Sequence, residues 1–462
     1  MGKYFGTDGF RGEANITLTA DHAFRIGRFL GWYFSSPLAG GKAAGERTRI
    51  VIGKDTRRSS YMFEYSIVAG ITASGADAYM LHVTTTPSVS FVTRLDEFDC
   101  GVMISASHNV YSDNGIKIVN RSGEKIDDGM IALLESYLDG DLASLGVVGD
   151  DLPLATGREI GAITDYVAGR NRYVGYLISL AAHSFRGLRI GLDCANGSAW
   201  MIARNVFEAL GAKVYVINDH PNGENINVDC GSTHIEGLQA FVREKGLDAG
   251  FAFDGDADRC LAVDENGELL TGDHIIFIMA RRLKSKGALA GNTAVSTVMS
   301  NIGLYRALEK EGIASVQTTV GDRFIFEAMQ KHGYQVGGEQ SGHIILKKYG
   351  TAGDGILTAI KLVEEMLDRK VTLSKLASPV VLFPQHQASV RVESKDAVAA
   401  DEAVCRRIAE IEEELAGSGR ILLRKSGTEP VIRIMVEAES EERCEGYVAE
   451  MIALIRSRGL GE

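Results

Sequence analysis

Cys100-Gly101-Val102-Met103-Ile104 runs into Ser105-Ala106-Ser107-His108-Asn109, and the chain resumes at Asp113-Asn114-Gly115-Ile116-Lys117-Ile118-Val119. The first five residues read as a buried strand, and 116–119 read as the next one. Between them lies a loop too polar and turn-rich to be core, with Asp113-Asn114-Gly115 as its turn signal because Asn and Gly tolerate positive φ. Such a loop hangs from sheet edges, where a rigid scaffold aims Ser107 outward, with His108 beside it and Lys117 ten residues on. A Ser-His pair in a loop is most often only a hydrogen-bonded turn, so its weight depends on the rest of the chain.

Working outward, the pattern alternates. Phe5-Gly6-Thr7-Asp8-Gly9-Phe10-Arg11-Gly12 is a glycine-punctuated loop with one arginine. A helix is expected from about residue 21, with Phe24, Gly27, Leu30 and Phe34 on one face. A strand over 49–52, a helix over 61–74 and a strand over 78–83 follow. The polar loop Thr84-Thr85-Thr86-Pro87 comes next, and a helix near 130–138 closes the segment. This order predicts α/β layers with largely parallel pairing. A second α/β unit starts at residue 188, with a helix over 199–210 and strands over 212–217 and 249–253. A third has helices over 274–284, 303–311 and 324–332 and strands over 293–297 and 315–319. Three such segments imply an internal structural repeat, although no residue-level repeat is visible. The last ~85 residues differ, with strands over 388–392, 421–423 and 431–436 and helices over 401–415 and 441–456. The expected fold is α/β: three similar domains with mixed sheets over 1–158, 159–265 and 266–378, and a smaller α+β domain over 379–462.

The totals agree with this division, since 462 residues exceed one core and imply three or four domains. A formal charge of −12, from 49 basic and 61 acidic residues, argues against broad nucleic-acid or anionic-membrane binding. An anionic substrate must therefore be drawn by a local basic cluster. Cys100, Cys194, Cys230, Cys260, Cys405 and Cys444 lie far apart with no C-x-x-C, which points to reduced thiols. No apolar run reaches the ~18 residues of a membrane span, and the N-terminus has no leader character. The expectation is a cytoplasmic protein, monomer or homodimer, with a small-molecule ligand.

Three further stretches carry chemistry. In Asp254-Gly255-Asp256-Ala257-Asp258-Arg259, residues i, i+2 and i+4 of an extended loop point to one side, so three carboxylates converge. Like charges so placed are costly unless a cation sits between them, and hard oxygen ligands indicate Mg²⁺ or Ca²⁺ rather than zinc. An EF-hand fails because Arg259 stands where its turn needs glycine. The bland alternative is a solvated acidic turn. Arg424-Lys425-Ser426-Gly427-Thr428-Glu429-Pro430, with Arg433 on the next strand, offers hydroxyls, free N–H groups and guanidinium forks suited to a phosphate monoester. No Walker sequence occurs, so this is no nucleotide P-loop. Gly337-Gly338-Glu339-Gln340-Ser341-Gly342-His343 lets backbone approach a ligand, with Glu339 and Ser341 placed to grip vicinal hydroxyls, though most such stretches are merely turns. A serine, a divalent-metal site, a phosphate cradle and a hydroxyl-reading loop together point to phosphoryl transfer on a sugar phosphate.

These four loops, in this order, resemble the α-D-phosphohexomutase superfamily from Gly2 to the C-terminal domain. The resemblance implies four domains around a central cleft, with Ser107 carried as phosphoserine. Mg²⁺ would be held by Asp254, Asp256, Asp258 and Ser107. His108, Lys117, Arg11 and Arg259 would handle protons or stabilise charge, and Glu339, Ser341 and His343 would meet the sugar. Arg424, Ser426, Gly427, Thr428 and Arg433 would hold the non-reacting phosphate. Within the superfamily, the segment 6–12, Cys230-Gly231-Ser232-Thr233-His234, Val320-Gly321-Asp322-Arg323 and Gln340 lean toward the amino-sugar branch. The implied reaction interconverts glucosamine 6-phosphate and glucosamine 1-phosphate, with a hexosamine or hexose 1,6-bisphosphate as primer or intermediate. Glucose or mannose phosphates are the alternative substrates. An aspartate-nucleophile phosphatase and a silent phosphosugar-binding protein are the more distant rivals. Val110, Ala257 and Ala352 depart from the family pattern, and Ala257 is expected to be harmless if its φ is negative.

Overall fold

Apolar runs without alternation, buried at every position, form the central strands, as expected for strands covered on both faces. Cys100–Ile104 and Ala249–Phe253 are two of them, and Thr293–Thr297 is buried throughout although three of its five side chains carry hydroxyls. The computed structural model describes residues 2–43, 45–426 and 430–462.

The first sheet contains β1 (Phe5–Gly6), β2 (Gly9–Glu13), β3 (Arg49–Lys54), β4 (Asp77–Val83), β5 (Cys100–Ile104), β6 (Asp113–Asn120) and β7 (Ile163–Asp165), in the order β1-β2-β6-β5-β3-β4-β7. The second has β8 (Arg189–Asp193), β9 (Lys213–Ile217), β10 (Ala249–Phe253), β11 (Cys260–Asp264) and β12 (Leu269–Leu270), in the order β12-β11-β10-β8-β9. The third has β13 (Thr293–Thr297), β14 (Ala314–Thr318), β15 (Val336–Gly338) and β16 (Ile344–Leu346), in the order β14-β13-β15-β16.

One topology is thus used three times. In each sheet the first strand of the motif pairs in parallel with the second and the third, and the third pairs antiparallel with the fourth. The repeat expected from segment lengths is therefore real at the level of topology. The loop joining the third and fourth strands carries Ser107 in the first sheet, Asp254 to Asp258 in the second, and Glu339 to His343 in the third.

Several expectations are corrected. The Ser107 loop does not hang from a sheet edge, because β5 and β6 are interior strands with β2 and β1 beyond them. Asp113-Asn114-Gly115 is not a turn but the start of β6. Asn114 is fully buried, and its amide donates to the Ser59 and Ser60 hydroxyls at 2.9 and 3.0 Å. Pairing is mixed, as the expected fold class has it and not largely parallel as the element order alone suggests, since every motif contains an antiparallel pair. Thr84-Thr85-Thr86-Pro87 is not only loop. Thr85 caps the helix Thr86–Leu95, and Pro87 sits in its first turn, where no N–H is needed. Helices Val167–Ser179 and Gly355–Arg369 were not anticipated, and the helix expected over 199–210 is a 3₁₀ turn, Ser198–Met201, followed by Ala203–Ala209.

By contact density the chain divides into two units, residues 1–298 with 314–377, and 299–313 with 378–462. The three sheets above belong to the first. The second contains β17 (Gln385–Arg391), β18 (Arg420–Lys425) and β19 (Val431–Glu437), antiparallel in the order β17-β19-β18. Its helices Glu402–Leu415 and Glu441–Ser457 pack Val404, Ile411, Val448 and Ile455 against Ile432 and Ile434 of β19. All six cysteines are free, and five are buried. Among the described residues no helix is long and apolar enough to cross a membrane.

In the first domain, α1 (Ala20–Ser35) and α2 (Arg58–Ala73) cross at backbone contact. A Cβ on Gly27 would fall 2.2 Å from Ile67 O, and one on Gly70 would fall 2.1 Å from Phe24 O. Alanine has the better helix propensity by ~1 kcal/mol, but overpacking costs more. Gly70→Ala is expected to lower stability by about 2 kcal/mol, read by chemical denaturation followed by circular dichroism.

Candidate active site

Ser107 is 1% exposed and holds a φ of 53°, in the left-handed region. A non-glycine residue pays ~1–2 kcal/mol for that conformation. Its hydroxyl donates to Asp254 Oδ2 at 2.5 Å and lies 3.2 Å from His108 Nδ1. Because the single hydroxyl proton goes to Asp254, His108 can only reach Ser107 Oγ as a donor through Nδ1. Burial and the guanidinium groups of Arg259 and Arg11 push the imidazole down to about 3, so His108 is neutral.

The three aspartates meet, but on a turn closed by Ala257 N–H to Asp254 O at 3.1 Å and not on the extended loop their alternation predicts. One carboxylate oxygen of each of Asp254, Asp256 and Asp258 lies within 4.8 Å of the others, and all three side chains are buried. At an effective dielectric near 20, each pair at that separation repels by about 3 kcal/mol. Burial, and then Asp258 and Asp256, push the Asp254 carboxyl well above the carboxylate range. Asp256 Oδ1 and Asp258 Oδ1 are buried with no hydrogen-bond partner among the described residues. Orphaned anionic oxygens facing one point fit a hard dication. The loop is tighter than expected, since Ala257 has a φ of 56° and not a negative one. Its Cβ is therefore a source of strain, against which its carbonyl accepts Gly355 N–H at 3.0 Å.

Lys117, on β6, reaches Asp256 and Asp8 at 2.9 Å and Asp258 at 3.3 Å. Burial works against its charge, but Asp256, Asp8 and Asp258 hold it well above the usual lysine value. Asp8 in turn pairs with Lys125 at 2.9 Å and with Arg11. Lys125 continues to Asp322 at 2.8 Å. Arg11 Nη1 also donates to Asn109 Oδ1 at 3.4 Å, beside the Ser107 loop. Burial would raise Asp258, but Lys117 and then His343 hold it well below the usual range. These residues border a cavity of about 200 Å³ lined by Asp8, Lys117, Lys125, Asp258, Asp322 and His343 among others.

The third loop joins the second directly. Arg259 and His343 form a β-bridge, and Cys260 N–H donates to Gly342 O at 3.0 Å. His343 Nε2 lies 3.1 Å from Gly353 N, and Nδ1 lies 3.6 Å from Asp258 Oδ1. Burial works against its charge, but Asp258 and then Asp322 raise its pKa to about 9. Glu339 Oε1 accepts Gly321 N–H at 3.1 Å. Ser341 Oγ is buried without a partner among the described residues. Arg259 N–H donates to Asp254 Oδ1 at 3.1 Å. Ser107, His108, the three aspartates, Arg259, Glu339, Ser341 and His343 on the three loops, with Arg11 on β2 and Lys117 on β6, are therefore tied together within one unit.

In the second unit Arg424 and Arg433 stand directly opposite across β18 and β19. Like charges so paired are destabilising unless an anion lies between them. Burial, and then Arg433, lower the pKa of Arg424. Ser426 is buried at the strand end, where its carbonyl accepts from Lys395 at 2.7 Å. Gly427 and Thr428 lie outside the described residues.

Sequence reasoning missed Asp8, which sits within the quoted opening loop yet binds three cations. It also missed Thr86, whose N–H donates to Asp256 O at 3.0 Å and whose hydroxyl donates to Asp256 Oδ2. Arg57 and Asn227, which hold the Ser107 loop, were missed too. The only signal was Asp55-Thr56-Arg57, a charged pair immediately after a buried strand.

Four models of the phosphoglucomutase/phosphomannomutase family match the chain. Alpha/beta/alpha domains I, II and III match residues 2–142, 171–267 and 271–382, and the C-terminal domain matches 388–454. The chain belongs to this family, whose members are isomerases that act as intramolecular phosphotransferases. Among its relatives, phosphoglucosamine mutase of Lachnospira eligens is 59% identical over 459 residues, covering 99% of each chain. Phosphoglucosamine mutase of Bacillus subtilis is 47% identical over 457 residues, again covering 99% of each. A phosphoglucomutase/phosphomannomutase family protein of Burkholderia thailandensis shares the fold, with a TM-score of 0.78 at 24% identity over 99% of this chain and 98% of that one. So does Aspergillus fumigatus N-acetylphosphoglucosamine mutase, solved with GlcNAc-6P and magnesium, with a TM-score of 0.65 at 18% identity over 98% and 95% of the two chains.

Removing one member of the triad should have opposite effects with and without cation. Asp254→Asn is expected to raise the melting temperature in chelator, because it relieves repulsion. It should also abolish most of the stabilisation that millimolar Mg²⁺ gives the wild type. Thermal scans with and without EDTA read both.

Proposed function

We propose that the chain interconverts glucosamine 6-phosphate and glucosamine 1-phosphate, as a phosphoglucosamine mutase, through a phosphoserine at Ser107 and a 1,6-bisphosphate intermediate. The observation that carries this reading is the 2.5 Å contact of Ser107 Oγ with a convergent, buried aspartate triad. The amino sugar is favoured by the full-length relatives named for that activity.

In the proposed reaction the bond from phosphorus to Ser107 Oγ breaks as one forms to the free hydroxyl oxygen of the sugar phosphate, and the proton of that hydroxyl ends on Ser107 Oγ. The bisphosphate then turns over, and its other phosphoryl group returns to Ser107. Mg²⁺, held by Asp254, Asp256, Asp258 and Ser107, would supply charge neutralisation at the phosphoryl oxygens. Lys117 is a cation held by three carboxylates, which suits it to neutralise charge near the migrating group. His108, neutral and with Nδ1–H facing Ser107 Oγ, is suited to donate to that oxygen as it becomes the leaving group. Arg11 and Arg259 add fixed positive charge. Glu339, Ser341 and His343 are assigned to the sugar, and the buried, unpartnered Ser341 hydroxyl supports that role. Arg424, Ser426, Gly427, Thr428 and Arg433 are assigned to the non-reacting phosphate, and the opposed arginine pair supports this. Six free thiols support a cytoplasmic location.

Ser107→Ala is expected to lower turnover by at least about 10³-fold while the circular dichroism spectrum is kept. Turnover near the wild-type rate would refute the assignment. Comparing glucosamine, glucose and mannose 1-phosphates as substrates tests the sugar, and a clear preference for mannose would move the chain to the phosphomannomutase reading. Arg424→Ala is expected to raise KM about tenfold with a smaller effect on kcat, measured by steady-state kinetics.

A further inference from the structure

The Ser107 loop is held from behind by two side chains that touch none of the reacting groups. The carbonyls of Ser107 and Asn109 both point inward, and each accepts two donors. Arg57 Nη2 donates to them at 3.2 and 2.6 Å, and Asn227 Nδ2 donates at 2.9 and 3.0 Å. Two carbonyl acceptors fix which end of the Asn227 amide faces them. On the other side of the residue, Ser107 N–H donates to Ser105 Oγ at 3.0 Å. Arg57 is fully buried and ion-paired with Asp55. Asp55 Oδ1 also accepts Arg57 N–H at 2.9 Å and Ser60 Oγ at 2.7 Å, so the guanidinium has little freedom. Asn227 comes from the second domain and is tied there by its N–H to Ala195 O at 2.9 Å. It also touches the metal loop, since a Cβ on Gly255 would lie 2.5 Å from Ser107 O and 3.1 Å from Asn227 Nδ2.

We propose that Arg57 and Asn227 are positioning residues for phosphoryl transfer, locking the Ser107 peptide in the left-handed conformation that aims Oγ at the aspartate triad. The proposal rests on the reading of Ser107 as the phosphoryl carrier. The conformation is one a serine leaves when released, because every neighbouring allowed region has negative φ. Released, the side chain swings away from Asp254, and a displacement of about 1 Å at a reacting atom costs on the order of 10²-fold in rate. Asn227 ties that geometry to the second domain, so the nucleophile loop and the metal loop are set against each other by the same amide.

The test uses the full-length enzyme and Asn227→Ala, which leaves no buried charge behind, with Asn227→Asp as the isosteric variant lacking the donors. The expected result is a kcat lowered about 10- to 100-fold with KM within about twofold and the melting temperature nearly unchanged. The ³¹P resonance of the phosphoserine should shift in the variant, reporting a changed environment. Arg57→Lys, which keeps the charge but loses the fork, should behave likewise. A kcat within about twofold of wild type for Asn227→Ala, or a loss that falls on KM and stability instead, would overturn the proposal. If Ser107→Ala itself turns over, the underlying reading fails. If Ser107→Ala is silent and Asn227→Ala is unimpaired, only the positioning role fails.

Discussion

Three buried carboxylates within 4.8 Å of one another are the constraint on which the rest of the site depends. Like charges buried and held that close cannot all stay ionised without a cation, which is why the Asp254 carboxyl is pushed well above the carboxylate range. The fold answers it from several directions. β6 supplies Lys117, the first turn of the helix Thr86–Leu95 supplies Thr86, and Ser107 and the Arg259 backbone donate to Asp254. Asp256 Oδ1 and Asp258 Oδ1 still accept no hydrogen bond among the described residues, although His343 Nδ1 stands 3.6 Å from the latter, and these oxygens are the ones a cation would take up.

Topology explains how these groups meet. Each of the three sheets sends a parallel strand into a loop and returns antiparallel, and that loop falls at the carboxyl end of the strand. Backbone groups there are released from the ladder, so N–H and C=O can face ligands or other loops. Residues far apart in sequence, such as Ser107 and Asp254 or Cys260 and Gly342, become direct hydrogen-bond partners.

Much of this was legible in the sequence, because it is written locally. Three aspartates within five residues, right after a buried strand, announce a carboxylate cluster, although a turn and not an extended loop brings them together. Buried strands such as Cys100–Ile104 and Ala249–Phe253 declare themselves by continuous apolar runs. What stayed hidden depends on distant partners. Asp113-Asn114-Gly115 has turn composition, yet serines on α2 claim the Asn114 amide and the segment extends as a strand. Ala257 shows no local reason for positive φ in the sequence, and its carbonyl meets the N–H of the distant Gly355 at 3.0 Å. Asp8 looks like one acid in a glycine-rich loop until Lys117, Lys125 and Arg11 arrive from elsewhere.

The account stands on a phosphoryl group that resides on the protein between its departure from one sugar oxygen and its arrival at another. Enzyme carrying radiolabelled phosphate on Ser107, mixed with unlabelled glucosamine 6-phosphate and followed over a single turnover, measures this directly. The label is predicted to leave the protein and appear in the sugar phosphates at the rate of isomerisation. Label that stays on the protein while glucosamine 1-phosphate accumulates would contradict it.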